Sequence, residues 1–175
     1  MSRQIRTVFL AGGLGLLVLI ATLGLLNRRD ETVGLGTEIR YDDFWFSVLA
    51  VRRVDAVGKE GEQKPLNGAF YVVTLKVTNR ARVVGFRFRS ESAVLLDARG
   101  REHRPSPRAT QALEAAEGKE DSFARELAPG ASSVGELVYD VPSDLRRPML
   151  RFSWGGALAE VLTFLFDGRK RIALE

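Results

Sequence analysis

The feature that most constrains this chain is an unbroken apolar run near its amino terminus, Val8–Leu26. No charged residue lies between Arg6 and Arg28. A helix rises about 1.5 Å per residue, so about 20 apolar residues are needed to cross the hydrocarbon core of a bilayer. The run is just long enough. It predicts a single transmembrane helix followed by a polar remainder that folds as a water-soluble domain.

Two other interpretations of the run fit it less well. A cleaved signal peptide has an apolar region of about 7–15 residues before a small-residue cleavage site. This run is longer and leads directly into Asn27-Arg28-Arg29. A buried helix of this length without a polar face is unusual in so small a domain. We therefore expect an uncleaved anchor.

The charges that flank the run predict its orientation. Two arginines lie on each side, but the free amine adds charge to the amino-terminal side, and Asp30 and Glu31 reduce it on the other. Because basic flanks stay inside, we expect a cytoplasmic tail of residues 1–7. The rest of the chain then lies on the periplasmic side of the inner membrane, behind a linker at residues 27–37.

One side of the predicted span carries small residues, Ala11, Gly12, Gly15 and Thr22. Small side chains spaced by one turn let two helices approach closely in lipid, which predicts packing against another membrane helix. The alternative is that glycine is simply common in membrane helices. The pattern leaves both interpretations open.

Composition limits the chemistry of the remaining domain. The chain has no cysteine, which excludes disulfides, thiolate catalysis, zinc–thiolate sites, iron–sulfur clusters and a lipoprotein anchor. Hydrophobic residues make up 45% of the chain and charged residues 27%, values typical of a globular protein. We therefore expect one domain over residues 38–175 that is stabilised by core packing alone.

Side chains in this domain alternate with a period of two, which predicts strands. The clearest is Gly68–Asn79, where Tyr71, Val73, Leu75 and Val77 face a core and the residues between them face water. The remaining alternating segments, with turns between them, are Glu38–Val51, Val83–Arg89, Ala93–Asp97, Glu102–Arg104, Ser133–Val141, Leu150–Trp154, Glu160–Phe166 and Arg169–Leu174.

In the second strand of Glu38–Val51, the alternation places Phe46, Val48 and Ala50 on one face, after a turn at Asp42-Asp43. A single helix is predicted over Pro107–Glu117, capped by Ser106. Many short strands with one short helix predict an all-β fold, an antiparallel β-sandwich.

Three stretches resemble a known family: GAFYVVTLKVTN at 68–79, LLDARGREHRP at 95–105 and LAPGASSVGELVYDVPSDLRRPMLRF at 127–152. The resemblance is to bacterial immunoglobulin-like extracellular domains of unknown function, the group that contains the mycobacterial immunoprotective secreted antigen. It implies an immunoglobulin-like sandwich behind an amino-terminal anchor. It implies no catalytic residue. The helix at 107–117 and the carboxy-terminal hairpin depart from the family's pattern.

Candidate chemistry in the domain is sparse. The only histidine, His103, would need a serine and a carboxylate beside it to act in a hydrolase, and one histidine without cysteine makes a transition-metal site improbable. Glu114, Glu117, Glu120 and Asp121 lack the spacing of a calcium loop. We predict no enzyme activity, no cofactor, no metal site and no nucleic-acid partner.

Arginines supply the remaining candidate surface. Arg87, Arg89, Arg101 and Arg104 are either outward-facing strand residues or a docking surface for an acidic partner or lipid headgroups.

We expect a non-catalytic accessory subunit that contacts the bilayer and other membrane subunits, with a respiratory or photosynthetic complex as a natural host. The alternative is a stand-alone ligand- or peptide-binding module that uses Trp45 or Trp154.

Overall fold

The computed structural model of the chain describes Thr22, residues 31–153 and residues 170–175. The chain divides into two compact units. One comprises Thr32–Ser153 and Lys170–Glu175 and is the domain considered below. The other, Met1–Glu31 with Trp154–Arg169, lies almost wholly outside the described residues. The predicted span, its orientation and the predicted strand at Glu160–Phe166 therefore also lie outside them.

The described residues form nine strands and one α-helix. The strands are β1 (Glu31–Val33), β2 (Ile39–Tyr41), β3 (Phe44–Val54), β4 (Gly68–Asn79), β5 (Ala93–Leu96), β6 (Glu102–His103), β7 (Ser132–Pro142), β8 (Met149–Phe152) and β9 (Lys170–Ala173). The α-helix α1 spans Pro107–Ala116, and short 3₁₀ turns occupy Lys59–Gly61 and Ser90–Ser92. No helix among these residues is long and apolar enough to cross a bilayer.

The strands form two sheets, in the orders β1-β9-β8-β5-β6 and β2-β3-β4-β7. The strand pairs with a described register are antiparallel. Side chains from both sheets fill the space between them, and the largest fully buried ones are Tyr139, Phe46, Leu75, Leu95, Leu137, Leu150 and Ile172. The expected β-sandwich with one short helix is confirmed.

Strand β4 lies between β3 and β7 and contributes to two apolar clusters. Val73, Leu75 and Val77 are fully buried between the sheets, as the alternation predicts. The expectation that the opposite face is wet is wrong at both ends of the strand. Near its end Thr78 is 6% exposed, and near its start the same face carries two apolar side chains. Phe70 and Val72 are also buried, because α1 covers that part of the sheet.

Helix α1 forms where its sequence signals place it. The Ser106 side chain accepts a hydrogen bond from the Ala109 amide (3.3 Å), and Pro107 occupies the first turn. The Ser106 side chain thus pairs with a backbone amide of the first turn that the helix itself leaves without a partner. Ala109 and Leu113 then pack on Phe70, Val72, Val138 and Val57.

Three further sequence predictions differ from the structure. The predicted linker contains β1, which joins the sheet beside β9. In β3 the pairing register shifts between Val48 and Ala50, so Val51 opposes Val73 and Ala50 opposes Thr74 on the outer face. A β-bulge of this kind reverses the alternation, which is why Ala50 does not share a face with Val48.

The third difference is Val83–Arg89, which is not a strand. The buried Asn79 side chain holds this segment instead: its Nδ2 donates to the carbonyls of Val84 (2.8 Å) and Leu127 (3.0 Å). The segment shares only one isolated bridge, between Phe86 and Leu127. Its aromatic residues still join the core, with the Phe86 ring stacked 3.9 Å from Phe44.

Replacing Leu113 by alanine should destabilise the domain by about 2–5 kcal/mol, because the side chain is 6% exposed and its removal leaves a cavity between α1 and the sheet. The matched control is Leu66→Ala, since Leu66 is 93% exposed and should change stability by less than about 0.5 kcal/mol. Urea unfolding of the full chain in detergent micelles measures both. Equal losses would contradict the packing of α1 on β4.

Candidate functional site

The domain presents charged loops at two ends. At the first, the Asp42 end, the β2–β3 turn lies beside the start of β9, and the Tyr41 hydroxyl donates to the Lys170 carbonyl (3.3 Å). At the second, the Asp97 end, the β5–β6 hairpin meets the β7–β8 loop, because Leu96 pairs with Met149. Loops mounted on a rigid sandwich commonly carry function.

A single carboxylate organises the β5–β6 hairpin. Asp97 Oδ1 accepts hydrogen bonds from the backbone amides of Arg99 and Arg101, each 2.8 Å long. The Arg101 Nε donates to Asp97 Oδ2 at 2.6 Å. Burial by itself would raise the pKa of Asp97, but the bonds from Arg101 and Arg99 outweigh it and hold the pKa below its usual value. Asp97 therefore stays ionised and fixes the turn.

A cleft of about 330 Å³ opens beside this hairpin. Its walls come from two loops, and the lining residues are Asp97, Ala98, Arg99, Arg101, Asp144, Leu145 and Arg146. The lining thus contains three arginines and two aspartates, and Asp97 is already paired with Arg101. Guanidiniums bind carboxylates and phosphates through paired hydrogen bonds. The cleft suits an acidic side chain, a chain terminus or another small anion.

His103 lies next to this hairpin but is not set up for hydrolysis. Its Nε2 is buried and lies 3.9 Å from Asp97 Oδ2, beyond hydrogen-bond distance. Within residues 31–153 and 170–175, no serine hydroxyl makes a hydrogen bond with it. The hydrolase interpretation requires such a serine, so the geometry gives it no support.

A second hollow of about 160 Å³ lies beside α1, and its lining includes Glu91, Glu114 and Asp121. Burial and then the neighbouring Asp121 raise the pKa of Glu114. The other acidic candidates bind basic side chains: Glu117 pairs with Lys119 (2.6 Å) and Glu120 with Arg125 (2.7 Å). No group of three or more metal-binding side chains occurs in the part of the chain that the structure describes.

The four predicted docking arginines fall in different places. Arg87 and Arg89 lie in the irregular segment before β5, whereas Arg101 belongs to the hairpin after it. Arg104 follows β6 and is exposed. Of the predicted small face in the span, only Thr22 is described, and it is exposed; Ala11, Gly12 and Gly15 lie outside the described residues.

Among the basic residues that the fold adds to these surfaces, sequence reasoning missed Arg40 and Arg146. Arg99 and Arg146 reach the cleft from two loops. At the Asp42 end, the guanidinium carbons of Arg40 and Arg80 lie 4.1 and 4.6 Å from the centre of the Trp45 ring. The Arg40–Trp45 contact follows from the two-residue turn, which places these residues opposite each other.

Replacing Asp97 by asparagine should destabilise the domain at neutral pH. The folded pKa of Asp97 is below its unfolded value, so its contribution is present above about pH 4 and is lost as the pH falls through the folded value. The stability difference between Asp97→Asn and the parent chain should therefore shrink in acid. Urea midpoints across this pH range measure it, with Asp144→Asn as the control from the same cleft. A difference independent of pH would contradict the assignment.

The sequence and the architecture of the domain both have relatives among known proteins. Residues 33–158 match a family described as Domain of unknown function (DUF4352). No curated protein matches the chain. Among solved structures, a conserved hypothetical protein from Bacillus anthracis is 22% identical with a TM-score of 0.57, and the match covers 67% of this chain and 87% of that one.

Two further solved structures share the fold. The secreted protein MPT63 from Mycobacterium tuberculosis is 20% identical, with a TM-score of 0.55 and coverage of 73% of this chain and 92% of its own. The YjhA protein from Bacillus subtilis is 15% identical, with a TM-score of 0.56 and coverage of 82% and 99%. The resemblance to the group of the mycobacterial antigen is thus confirmed for the sandwich. Because the family match spans most of the chain, this protein belongs to the DUF4352 family.

Proposed function

We propose that this protein is a non-catalytic accessory subunit of a membrane protein complex, possessing one span at residues 8–26. In this proposal the amino terminus is cytoplasmic and the sandwich docks on the periplasmic face of a partner subunit. The apolar run supports the anchor, because its length matches a bilayer core. Ala11, Gly12, Gly15 and Thr22 would contact a neighbouring membrane helix.

The observation that carries the docking part is the arginine-lined cleft at the Asp97 end. Asp97 holds the hairpin through three hydrogen bonds, so Arg101 is fixed before any partner binds. Pre-organised arginines lose less conformational entropy on binding, and arginine is enriched among the residues that dominate interfaces. An acidic segment of a partner subunit would complete the cleft by pairing with Arg99 and Arg146.

The β7–β8 loop is also fixed in place, which favours a docking surface over a mobile loop. The Arg147 amide donates to Glu175 Oε1 (3.0 Å), and the Leu174 amide donates to the Pro148 carbonyl (3.0 Å). On the neighbouring strand, Arg151 pairs with Glu102 at 2.6 Å. Both walls of the cleft are therefore tied to the sandwich.

A second candidate function is a stand-alone binding module for a small anionic ligand or a peptide terminus. The volume of the cleft favours it, because about 330 Å³ lies at the small end of the usual range for ligand pockets. This candidate predicts a protein that is purified without stoichiometric partners. The first proposal includes a respiratory or photosynthetic complex as the host. The subunits that co-purify with the protein would identify that complex.

Purification of the tagged full chain from native membranes in mild detergent should recover defined partner subunits. Two double variants separate the contacts. Gly12→Leu with Gly15→Leu should weaken recovery through the span, and Arg99→Glu with Arg146→Glu should lower it about tenfold through the cleft. The control for charge is Arg53→Glu with Lys64→Glu, since both residues are exposed and lie outside the cleft. Recovery of the protein alone would overturn the accessory-subunit proposal.

A further inference from the structure

A concentration of basic side chains surrounds the aromatic residues at the Asp42 end. Arg40 and Arg80 lie over the Trp45 ring, at 4.1 and 4.6 Å from its centre. The Lys170 ammonium donates to the Arg40 carbonyl (3.0 Å) and lies 5.6 Å from the centre of the Tyr41 ring. We call Arg40, Trp45, Arg80 and Lys170 the basic cluster. Its position and orientation are set by β2, β3, β4 and β9.

Among the described residues, no carboxylate forms an ion pair with this basic cluster. Within the described ranges, neither Arg40, Arg80 nor Lys170 has an acidic oxygen within 4.0 Å. Glu38 and Asp42 each lie two residues from Arg40 along the chain, and neither forms an ion pair with it in the described structure. The contact between Asp43 and Arg80 is between backbone atoms, from the Arg80 amide to the Asp43 carbonyl (2.7 Å). Cation–π contacts hold the guanidiniums in place without cancelling their charge. The cluster is therefore an open site for anionic groups.

An apolar tip lies directly beside the cluster. Val83 and Val84 follow Arg80 by three and four residues and are 85% and 59% exposed. The Val84 carbonyl accepts from Asn79 Nδ2 (2.8 Å), and the Ala81 amide donates to Asn79 Oδ1 (2.9 Å), so a buried side chain holds the tip outward. Two adjacent valines fixed in water have no role in the core. Such a tip is suited to contact with a partner whose outer layer is charged and whose next layer is apolar.

Cations, an amphipathic aromatic ring and a small apolar tip together match the composition of membrane-interface segments. We propose that the Asp42 end of the domain binds the headgroup layer of anionic phospholipids. Arg40, Arg80 and Lys170 contact lipid phosphates, and Val83 and Val84 enter the interface beside Trp45. Each basic residue near an anionic bilayer strengthens binding roughly fivefold at low salt.

Chain length independently favours a lipid surface over another protein, and this one step rests on the proposed span. From Leu26 to Glu31 the chain extends at most about 17 Å. Strand β1 begins at Glu31 and is the neighbour of β9, whose first residue is Lys170. With the proposed span, a connection of this length keeps the first residue of β1 within about 17 Å of the bilayer.

Single-cysteine labelling tests the proposal on the full chain, because the natural sequence has no cysteine. Val83→Cys carries an environment-sensitive fluorophore at the tip. Leu66→Cys is the matched control, since Leu66 is an equally exposed apolar residue at the opposite end, where its amide donates to Asp140 Oδ2 (2.8 Å). Both proteins are reconstituted with phosphatidylcholine vesicles or with equal parts phosphatidylcholine and phosphatidylglycerol.

The label at residue 83 should shift to the blue in phosphatidylglycerol vesicles and less in neutral ones, while the label at residue 66 stays unchanged. Adding Arg40→Gln and Arg80→Gln should remove most of the shift, and Arg53→Gln with Lys64→Gln should not, since both of these residues are exposed and lie outside the basic cluster and the cleft. An equal shift at both labels, an equal shift in neutral vesicles, or no shift while the protein remains with the vesicles would overturn the lipid proposal. So would a shift confined to native membranes with their proteins, which would indicate a protein partner.

A high-salt wash of the same vesicles separates this proposal from the anchor. A protein that washes off at high salt, yet shows the shift at residue 83 at low salt, would contradict the span and support the lipid surface. A protein that resists the wash without any shift would support the span and contradict the lipid surface. Loss of the span would remove only the chain-length step, because the charge of the cluster and the exposed valines support the lipid surface without it.

Discussion

The two-sided burial of β4 is the constraint on which the rest of this domain depends. It is flanked by β3 and β7, and its inward side chains fill the space between the sheets. Phe70 and Val72 point the other way and would face water in a simple sandwich. Burying such side chains stabilises a protein by about 1.5–3 kcal/mol each. Helix α1 supplies the cover, so the chain needs a helix at this point even though its architecture is otherwise β.

Two buried polar residues connect the core to the loops through hydrogen bonds. Asn79 ends β4 and holds the segment that carries Val83 and Val84, whereas Asp97 follows β5 and holds the hairpin that carries Arg99 and Arg101. Each satisfies several backbone groups that the ladders leave unpaired, which is the role expected of a buried polar side chain. Each of these side chains therefore holds the surface residues that follow its strand in fixed positions.

Local signals predicted local structure well. The inward-facing side of β4, the Ser106 cap with Pro107, and the turn at Asp42-Asp43 each depend on neighbouring residues, and the structure confirms them. The bulge near Leu49 was not predictable, because it is defined only against the register of β4. The cover over Phe70 likewise requires knowing where α1 packs. The cleft combines loops that are distant in sequence, so no sequence motif predicts it.

Each end of the domain carries its own set of basic residues, and this arrangement bears on what a domain of this family can do. Core positions specify the sandwich, and the same sandwich occurs in proteins only 15–22% identical to this one. Function in such a fold is carried by loops and by exposed strand ends. Here one end offers cations that have no ion pair among the described residues, beside an apolar tip, and the other offers arginines in a cleft shaped by Asp97. The two proposed surfaces, one for lipid and one for a partner subunit, need opposite ends of the domain. The topology provides them, because β4 and β7 run from one end to the other.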